Sequence, residues 1–383
     1  MRAEGGGSIG SARETGERAF PGIPLGLIAV GMSGGVDSSV AALLLRRAGH
    51  SLVGLFLRNG VEVEEGKARS CCSASDARDA RGVAADLGIP FHAVDFSPEF
   101  DDLVARFVEA YRAGRTPNPC ARCNREIKFG ALFRLARGLG ADFVATGHYA
   151  RLEVEGKSVR LRKGIDPEKD QSYQLFDVPG ERLRRVLFPV GALRKDEVRE
   201  IARKEGLRVG DKPDSQDLCF VPGGNYRELL RQRGLPPRPG PILDLLGREI
   251  GRHSGIDGFT VGQRRGLPAG SAGPRYVISV EPESAAVVVG SREEASSDRV
   301  QVSATNWIGR VAPSPGERFH ATVKLRSRHA GVPAEIVGGV EGRVEALLEC
   351  REPGVSPGQA AVFYDGEEVL GGGWIEPPSR PPG

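Results

Sequence analysis

The chain is predicted to be an α/β protein: a doubly wound parallel sheet, then a small central domain and a C-terminal antiparallel β-barrel. Three observations predict this. Short apolar runs alternate with helical patterns from Gly26 to about Asp177, the rhythm of strand–helix–strand units. The turn "GMSGGVDSSV", Gly31 to Val40, joins the first strand to its helix, and such sheets bind ligands beyond the carboxyl ends of their strands. Beyond Pro274 the texture changes to β-branched segments separated by turn residues, which suits a small barrel or sandwich.

In order, "LGLIAVGM" reads as a buried strand and "SSVAALLLRRAGH" as a helix with Val40, Leu43 and Leu44 on its stripe, stopped at Gly49. "SLVGLFL" and "PFHAVDF" are strands flanking a helix that ends at Gly88, and a further helix spans Phe100 to Tyr111. The segment "TPNPCARCNREIKFG" interrupts this rhythm. A helix beginning near Asn124 then carries Ile127, Ala131, Leu132, Leu135 and Leu139 on one face, before the strand "ADFVATGHY". "LRKDEVREIARKEGL" is one more helix. The expected divisions are a disordered extension over 1–24, a catalytic domain over 25–224, a central domain over 225–275, a β-barrel over 276–375 and a disordered tail over 376–383.

The 383 residues exceed what one core usually holds. A net charge of +3 does not imply nucleic acid, but Arg gathers in clusters such as "ERLRRVLF" and "GQRRGLP", and Arg forks suit phosphate. No run approaches the ~20 apolar residues of a membrane helix. The first residues lack a secretory apolar core, and Glu4, Glu14 and Glu17 oppose a transit peptide. Six cysteines in such a chain form no disulfide framework, and a cytoplasmic, reducing location is expected, where paired thiols favour metal or catalysis.

In the glycine-rich turn, Gly34 and Gly35 permit close backbone approach, Ser33 and Ser38 add hydroxyls, and a helix N-terminus favours an anion. Asp37 places a carboxylate where it could hold Mg²⁺. The Walker A lysine is absent. Cys120 and Cys123 admit four chemistries: zinc ligands, a redox pair, iron–sulfur ligands or a sulfur-handling nucleophile with its partner. Zinc is disfavoured because no second C-x-x-C or His pair stands at ligand spacing. Cys71, Cys72 and Cys350 read as packed thiols, and Trp307 and Trp374 as barrel core.

"SGGVDSS" resembles the pyrophosphate loop of the PP-loop ATPases. Together with "AGRTPNPCARCNREIKFG", "ATGHYARL", "KDQSYQLF", "LFPVG", "DSQDLCFV", "FTVGQRRGL" and "PGQAAVFYDGEEVLGGGWI", it is similar to the tRNA-specific 2-thiouridylases, in order from about Leu25 to Trp374. That resemblance implies adenylation of the wobble uridine of tRNAs for Lys, Glu and Gln, followed by replacement of O2 with sulfur. It implies that Gly31, Met32, Ser33, Gly34, Gly35, Val36, Asp37 and Ser38 cradle ATP, with Leu57 at the adenine and Gly147 on the nucleotide. Cys123 is then the nucleophile and Cys219 the persulfide carrier: Cys123 releases the outer sulfur and ends in a Cys123–Cys219 disulfide. The cations Arg115, Arg122, Arg125 and Lys128 are expected to favour the Cys123 thiolate.

Some relatives carry Asp where Cys120 stands, so Cys120, Cys123 and Cys219 could instead ligate a [4Fe–4S] cluster. Asn118, Pro119 and Cys120 are expected around the flipped base. His148, Lys169, Asp170, Gln171, Arg326, Ser327 and Gln359 match tRNA-contacting positions, with Ser327 replacing an aromatic of some relatives. The expected partners are tRNA and a cysteine desulfurase or sulfur-relay protein, and the chain is expected to be a monomer. Two rival readings remain: another PP-loop ligase of the amidotransferase type, which has no need of the three thiols, and a non-catalytic RNA-binding protein.

Overall fold

A computed structural model describes residues 26–60, 74–214, 218–268 and 273–377. The expected N-terminal extension, most of the expected tail, and Cys71 and Cys72 lie outside the described residues.

The first unit is a five-stranded parallel sheet in the order β3-β2-β1-β4-β7, from β1 (Leu27–Gly31), β2 (Ser51–Arg58), β3 (Phe91–Asp95), β4 (Phe143–Ala145) and β7 (Val186–Leu187). The central strand is covered on both faces, which is why it reads as an unbroken apolar run. Its side chains alternate between two cores. Ile28 and Val30 pack with Val40 and Leu45 of α1 (Val36–Arg47), whereas Ala29 packs with Phe100, Leu103 and Phe107 of α3 (Ser97–Arg112). The helix α2 (Ala74–Asp86) adds Ala80 and Val83 to the α1 side.

The chain after α3 departs from expectation. Asn118 accepts the Ala121 N–H at 3.2 Å and Pro119 takes the first helical position, so α4 starts at Pro119 rather than near Asn124. Cys120 and Cys123 are therefore helical. The helix α4 (Pro119–Cys123) runs into a π-helical stretch, Asn124–Ala131, with Phe129 displaced to φ −105°, and then into α5 (Leu132–Gly138).

The central unit is a four-stranded sheet, β10-β11-β8-β9, built from β8 (Gly240–Leu243), β9 (Glu249–His253), β10 (Tyr276–Glu281) and β11 (Ala286–Gly290). Strand β11 pairs with β8 through Val287↔Ile242 and Val288↔Leu243, so this sheet continues to Gly290, past the boundary expected at 275. Alternation reveals a strand but not its partner.

The strands β12 (Ser296–Trp307), β15 (Val344–Pro353), β14 (Val332–Gly338), β13 (Arg318–Lys324), β16 (Ala360–Asp365) and β17 (Glu368–Ile375) are neighbours in that order. Pairing of Val302 with both Val344 and Ile375 closes them into a barrel. The hairpin β5 (Ala150–Glu155) and β6 (Ser158–Lys163) leaves the first unit and adds to β17.

The seam between sheet and barrel is a continuous core. Tyr173, Phe176 and Val178 are buried with Phe129 and Leu183 on one side and Ala360, Val362, Tyr364 and Val369 on the other. The Tyr173 hydroxyl donates to Ala360 O at 2.8 Å, and Asn306 Nδ2 donates to Phe176 O at 2.7 Å and Val178 O at 3.1 Å. Phe176 is fully buried, so Phe176→Ala should cost about 3–5 kcal/mol. Urea unfolding should show one transition for the wild type, coincident by far-UV circular dichroism and by the fluorescence of Trp307 and Trp374. Two separated transitions, or a loss below about 1 kcal/mol, would contradict a shared core.

Candidate active site at the seam of sheet and barrel

The phosphate loop closes on itself. Ser33 N–H donates to Ser38 Oγ at 3.2 Å, while the Ser38 and Ser39 hydroxyls donate to Gly35 O at 3.1 and 2.9 Å. Gly34 has φ +73°, and a Cβ there would stand 2.3 Å from Asp76 O, so a side chain is excluded twice. A Cβ on Gly147 would fall 2.6 Å from Ser38 N, which sets the turn after β4 directly on the first turn of α1. The loop thus presents a helix N-terminus, with its unsatisfied N–H groups, beside a second backbone segment.

Asp37 is not vacant for a metal. Lys195 Nζ donates to its two oxygens at 2.7 and 2.8 Å, and the Tyr149 hydroxyl donates at 2.7 Å. Burial and this carboxylate push the Tyr149 phenol up, so it stays a donor. Lys195 also pairs with Asp214 at 2.9 Å, and Asp214 takes Lys169 and Arg199 at 2.8 Å each. Burial alone would raise the Asp214 carboxyl, but the bonds from Lys169 and Lys195 hold it down to about 2. Lys212 Nζ donates to Gly34 O at 2.9 Å and to Asp76 at 2.6 Å, and also pairs with Asp79. Two cations from distant sequence therefore brace the loop that lacks a lysine of its own.

The barrel holds the thiol segment from the other side. Thr116 N–H donates to Pro357 O at 2.8 Å, and Gln359 Nε2 donates to Thr116 O at 3.2 Å and Pro117 O at 3.1 Å. A cavity of about 230 Å³ opens there, lined by Asn118, Pro119, Cys120, Ser327 and Gln359 together with Phe107, Tyr111, Tyr173 and Tyr226. Residues expected separately around the base and on the barrel are thus neighbours. Leu218 also lines the cavity, and Asn59 Nδ2 donates to Cys219 O at 3.2 Å. Cys120 is exposed, Cys123 buried and Cys219 intermediate.

The expected site residues also make contacts within the protein. His148, expected to face RNA, is 6% exposed and has the Phe129 and Phe188 rings beside it. Among the cations expected near Cys123, Arg122 lies 4.5 Å over the Trp374 ring, Arg125 bonds Asp177 at 2.7 Å, and Lys128 Nζ is 3.4 Å from His148 Nε2. Trp374 is accordingly more than barrel core. Lys169 bonds Asp214, Asp170 accepts Gly164 and Ser172 N–H at 3.1 and 3.0 Å, and Gln171 accepts Tyr149 N–H at 2.9 Å, so these three build a turn. Arg326 and Ser327 are exposed, and Leu57 is partly buried near the carboxyl end of β2.

Among the described residues no group of three His, Cys, Asp or Glu could hold a metal ion. Among them also, no helix is long and apolar enough to cross a membrane.

Sequence reasoning missed Lys195, Lys212, Asp214 and Tyr149. Lys195 opens the helix α6 (Lys195–Lys204), where a cation opposes the helix dipole. That mismatch was the available signal.

The sheet order and the glycine-rich turn define the class. Residues 27–223 match the family model described as tRNA methyl transferase HUP domain, residues 228–291 its PRC-barrel domain, and residues 297–375 the aminomethyltransferase beta-barrel domain. A tRNA-specific 2-thiouridylase of Geotalea uraniireducens is 48% identical, covering 91% of this chain and 94% of its own. One from Chloroflexus aggregans is 47% identical, covering 92% and 98%. A solved 4-thiouridine synthetase–RNA complex aligns with a TM-score of 0.33 at 17% identity, over 55% of this chain and 52% of that one. The chain belongs to the tRNA-specific 2-thiouridylase family.

Asp177, 3% exposed, carries a pH consequence. Burial pushes its carboxyl up to about 6 from 3.8, against the pull of Arg125. A folded-state value above the unfolded one contributes stability that is full below about 4 and lost as pH rises through about 6. Asp177→Asn should therefore remove about 3 kcal/mol of decline between those limits. Urea titrations across that range test this, and an unchanged slope in the variant refutes it.

Proposed function

We propose that the chain is an ATP-dependent tRNA sulfurtransferase that adenylates and then 2-thiolates the wobble uridine, U34, giving 2-thiouridine. The observation that carries this reading is the cavity of about 230 Å³ whose wall contains Asn118, Cys120 and Gln359, with Leu218 bringing the Cys219 segment to its edge. Its aromatic lining residues suit a planar base drawn out of its stack. The turn at Gly147 packs on the phosphate loop, so nucleotide and thiol chemistry have adjacent supports.

Uracil O2 is a poor leaving group. Transfer of AMP from ATP to that oxygen, with departure of pyrophosphate, makes it a good one. Cys219 arrives as a persulfide charged by a cysteine desulfurase, directly or through a relay protein. The Cys123 thiolate attacks the Cys219 sulfur, and the terminal sulfur leaves as hydrosulfide. It adds at C2 and expels AMP. The two cysteines end as a disulfide, which a cellular thiol reductant reopens. Cys123 and Cys219 pack into the same core, which supports their meeting.

Magnesium accompanies ATP in this family. Asp37 would reach it after Lys195 yields one oxygen. The persulfide route needs only Cys123 and Cys219, which pack into the same core, and leaves Cys120 to the base. The acceptors are tRNAs for Lys, Glu and Gln, and the protein acts as a cytoplasmic monomer. Methyl transfer, named in the family model's description, would need neither a pyrophosphate loop nor the thiols.

Reconstitution with ATP, cysteine, a cysteine desulfurase and unmodified tRNA tests the proposal, with 2-thiouridine and AMP measured together. The wild type should form both, Cys123→Ser and Cys219→Ser should form no 2-thiouridine, and Cys120→Ala should retain activity. Absence of 2-thiouridine with the wild type sinks the reading. Loss of activity together with anaerobically bound iron in Cys120→Ala would replace the persulfide route with a cluster.

A further inference from the structure

We infer that His329 is a positioning residue: its imidazole, pinned between the Leu325 N–H and the Glu352 carboxylate, fixes the turn through which Ser327 lines the cavity and Arg326 stands exposed next to it. This rests on the function proposed above, because tRNA is taken as the molecule that the turn meets.

The turn joins β13 to β14. Leu325 is buried in the barrel core, Arg326 and Ser327 are exposed, and at His329 the chain is buried again, at 8% exposure. His329 N–H donates to Arg326 O at 3.0 Å, which closes the turn on itself. Both ring nitrogens are engaged: Leu325 N–H donates to Nδ1 at 3.3 Å, and Nε2 stands 3.2 Å from a Glu352 oxygen. A backbone N–H only donates, so Nδ1 accepts and the ring proton is on Nε2, which donates to the carboxylate. A doubly protonated ring would set N–H against N–H at Leu325. One neutral tautomer therefore ties the start of the turn to β15.

The place of Glu352 makes this link more than local. It lies near the end of β15, and the segment that follows runs to the other parts of the site. A Cβ on Gly262 would fall 2.3 Å from Gly354 Cα, and Ser356 Oγ donates to Val261 O at 2.9 Å, so this segment abuts the central unit. Pro357 O then accepts the Thr116 N–H, and Gln359 donates to Thr116 O and Pro117 O. One stretch, Glu352 to Gln359, thus holds the turn at one end and the thiol segment at the other. Ser327 and Gln359 line the same cavity as Asn118 and Cys120, and His329 sets the turn in register with that stretch. The His329 and Glu352 side chains are only 7% and 21% exposed, and a hydrogen bond to a carboxylate is stronger than one between neutral groups. An exposed turn ordered in advance has less freedom to lose when RNA meets it.

The test measures kcat, KM for tRNA and equilibrium binding of unmodified tRNA for His329→Ala, His329→Gln, Glu352→Ala and the double variant His329→Ala/Glu352→Ala. It uses the reconstituted reaction in which the wild type makes 2-thiouridine. His329→Ala should weaken tRNA binding and raise KM for tRNA about tenfold, with kcat at saturating tRNA within about twofold of wild type. Gln carries an oxygen to accept the Leu325 N–H and an N–H to donate to Glu352, and should return affinity to within about threefold of wild type. Removing a negative charge would by itself tighten binding to a polyanion. Glu352→Ala should nevertheless bind about threefold or more weakly, and the double variant no more weakly than His329→Ala, because the two side chains form one link.

A folded His329→Ala whose tRNA affinity stays within about twofold of wild type overturns the inference. So does a fall in kcat at unchanged KM, the mark of a merely structural role, and so does a Gln variant as weak as Ala. Should His329→Ala fail to fold, Glu352→Ala decides: weaker tRNA binding supports positioning, and equal or tighter binding refutes it. The binding measurement needs no turnover, so a wild type that holds tRNA without making 2-thiouridine condemns the proposed function and leaves the affinities of the variants to decide this inference.

Discussion

The seam core around Tyr173 and Phe176 is the constraint on which the rest depends. These side chains are fully buried between a parallel sheet and a closed barrel, two architectures that would each be complete without the other. Because they share one core, the thiol segment is gripped from both sides. Asn118 and the π-helical stretch belong to the first unit, whereas Pro357, Gln359 and Trp374 belong to the barrel. A loop fixed by two bodies has little freedom left to lose when it meets a substrate.

The ionic braces around the phosphate loop obey a different logic. Lys195 is 11% exposed in its side chain, and an isolated ammonium so placed would be strongly disfavoured. Asp37 and Asp214 flank it, Lys169 and Arg199 neutralise the second carboxylate, and Tyr149 completes the first. Such a network contributes little net stability but specifies one arrangement. Its product is geometric: Asp37 is held at the first turn of α1, and the segment leading toward Cys219 is tied to it through Asp214.

Much of this was legible in the sequence. The unbroken apolar run of β1, the glycine-rich turn and the Cys120–Cys123 pair carry their meaning locally, since burial on both faces, positive φ and thiol spacing are written in consecutive residues. The roles of Lys195 and Lys212 were not legible, because an ion pair across 158 residues leaves no local pattern. The π-helical winding was also hidden: Ile127, Ala131 and Leu135 satisfy an ordinary helical stripe, and one wider turn rephases Lys128 without disturbing it. The surroundings of His148 were hidden too: its place beyond a strand was legible, but not the Phe129 and Phe188 rings, from other elements, that pack beside it.

The three thiols differ in exposure in a way that suits sequential sulfur chemistry. Cys120 stands exposed in the cavity wall, Cys123 is buried one helical turn further on, and Cys219 is intermediate on a segment tethered by Asn59. A persulfide carrier must be charged by another protein and so needs some access. A thiol that resolves the persulfide must be sheltered, since an exposed thiolate would meet cellular oxidants first. In the proposed reaction Cys120, exposed in the cavity wall, contacts the base and handles no sulfur, so relatives with Asp at that position lose no sulfur-handling group. What that position requires is a small polar side chain at the head of a helix capped by Asn118, and thiol and carboxylate both provide it.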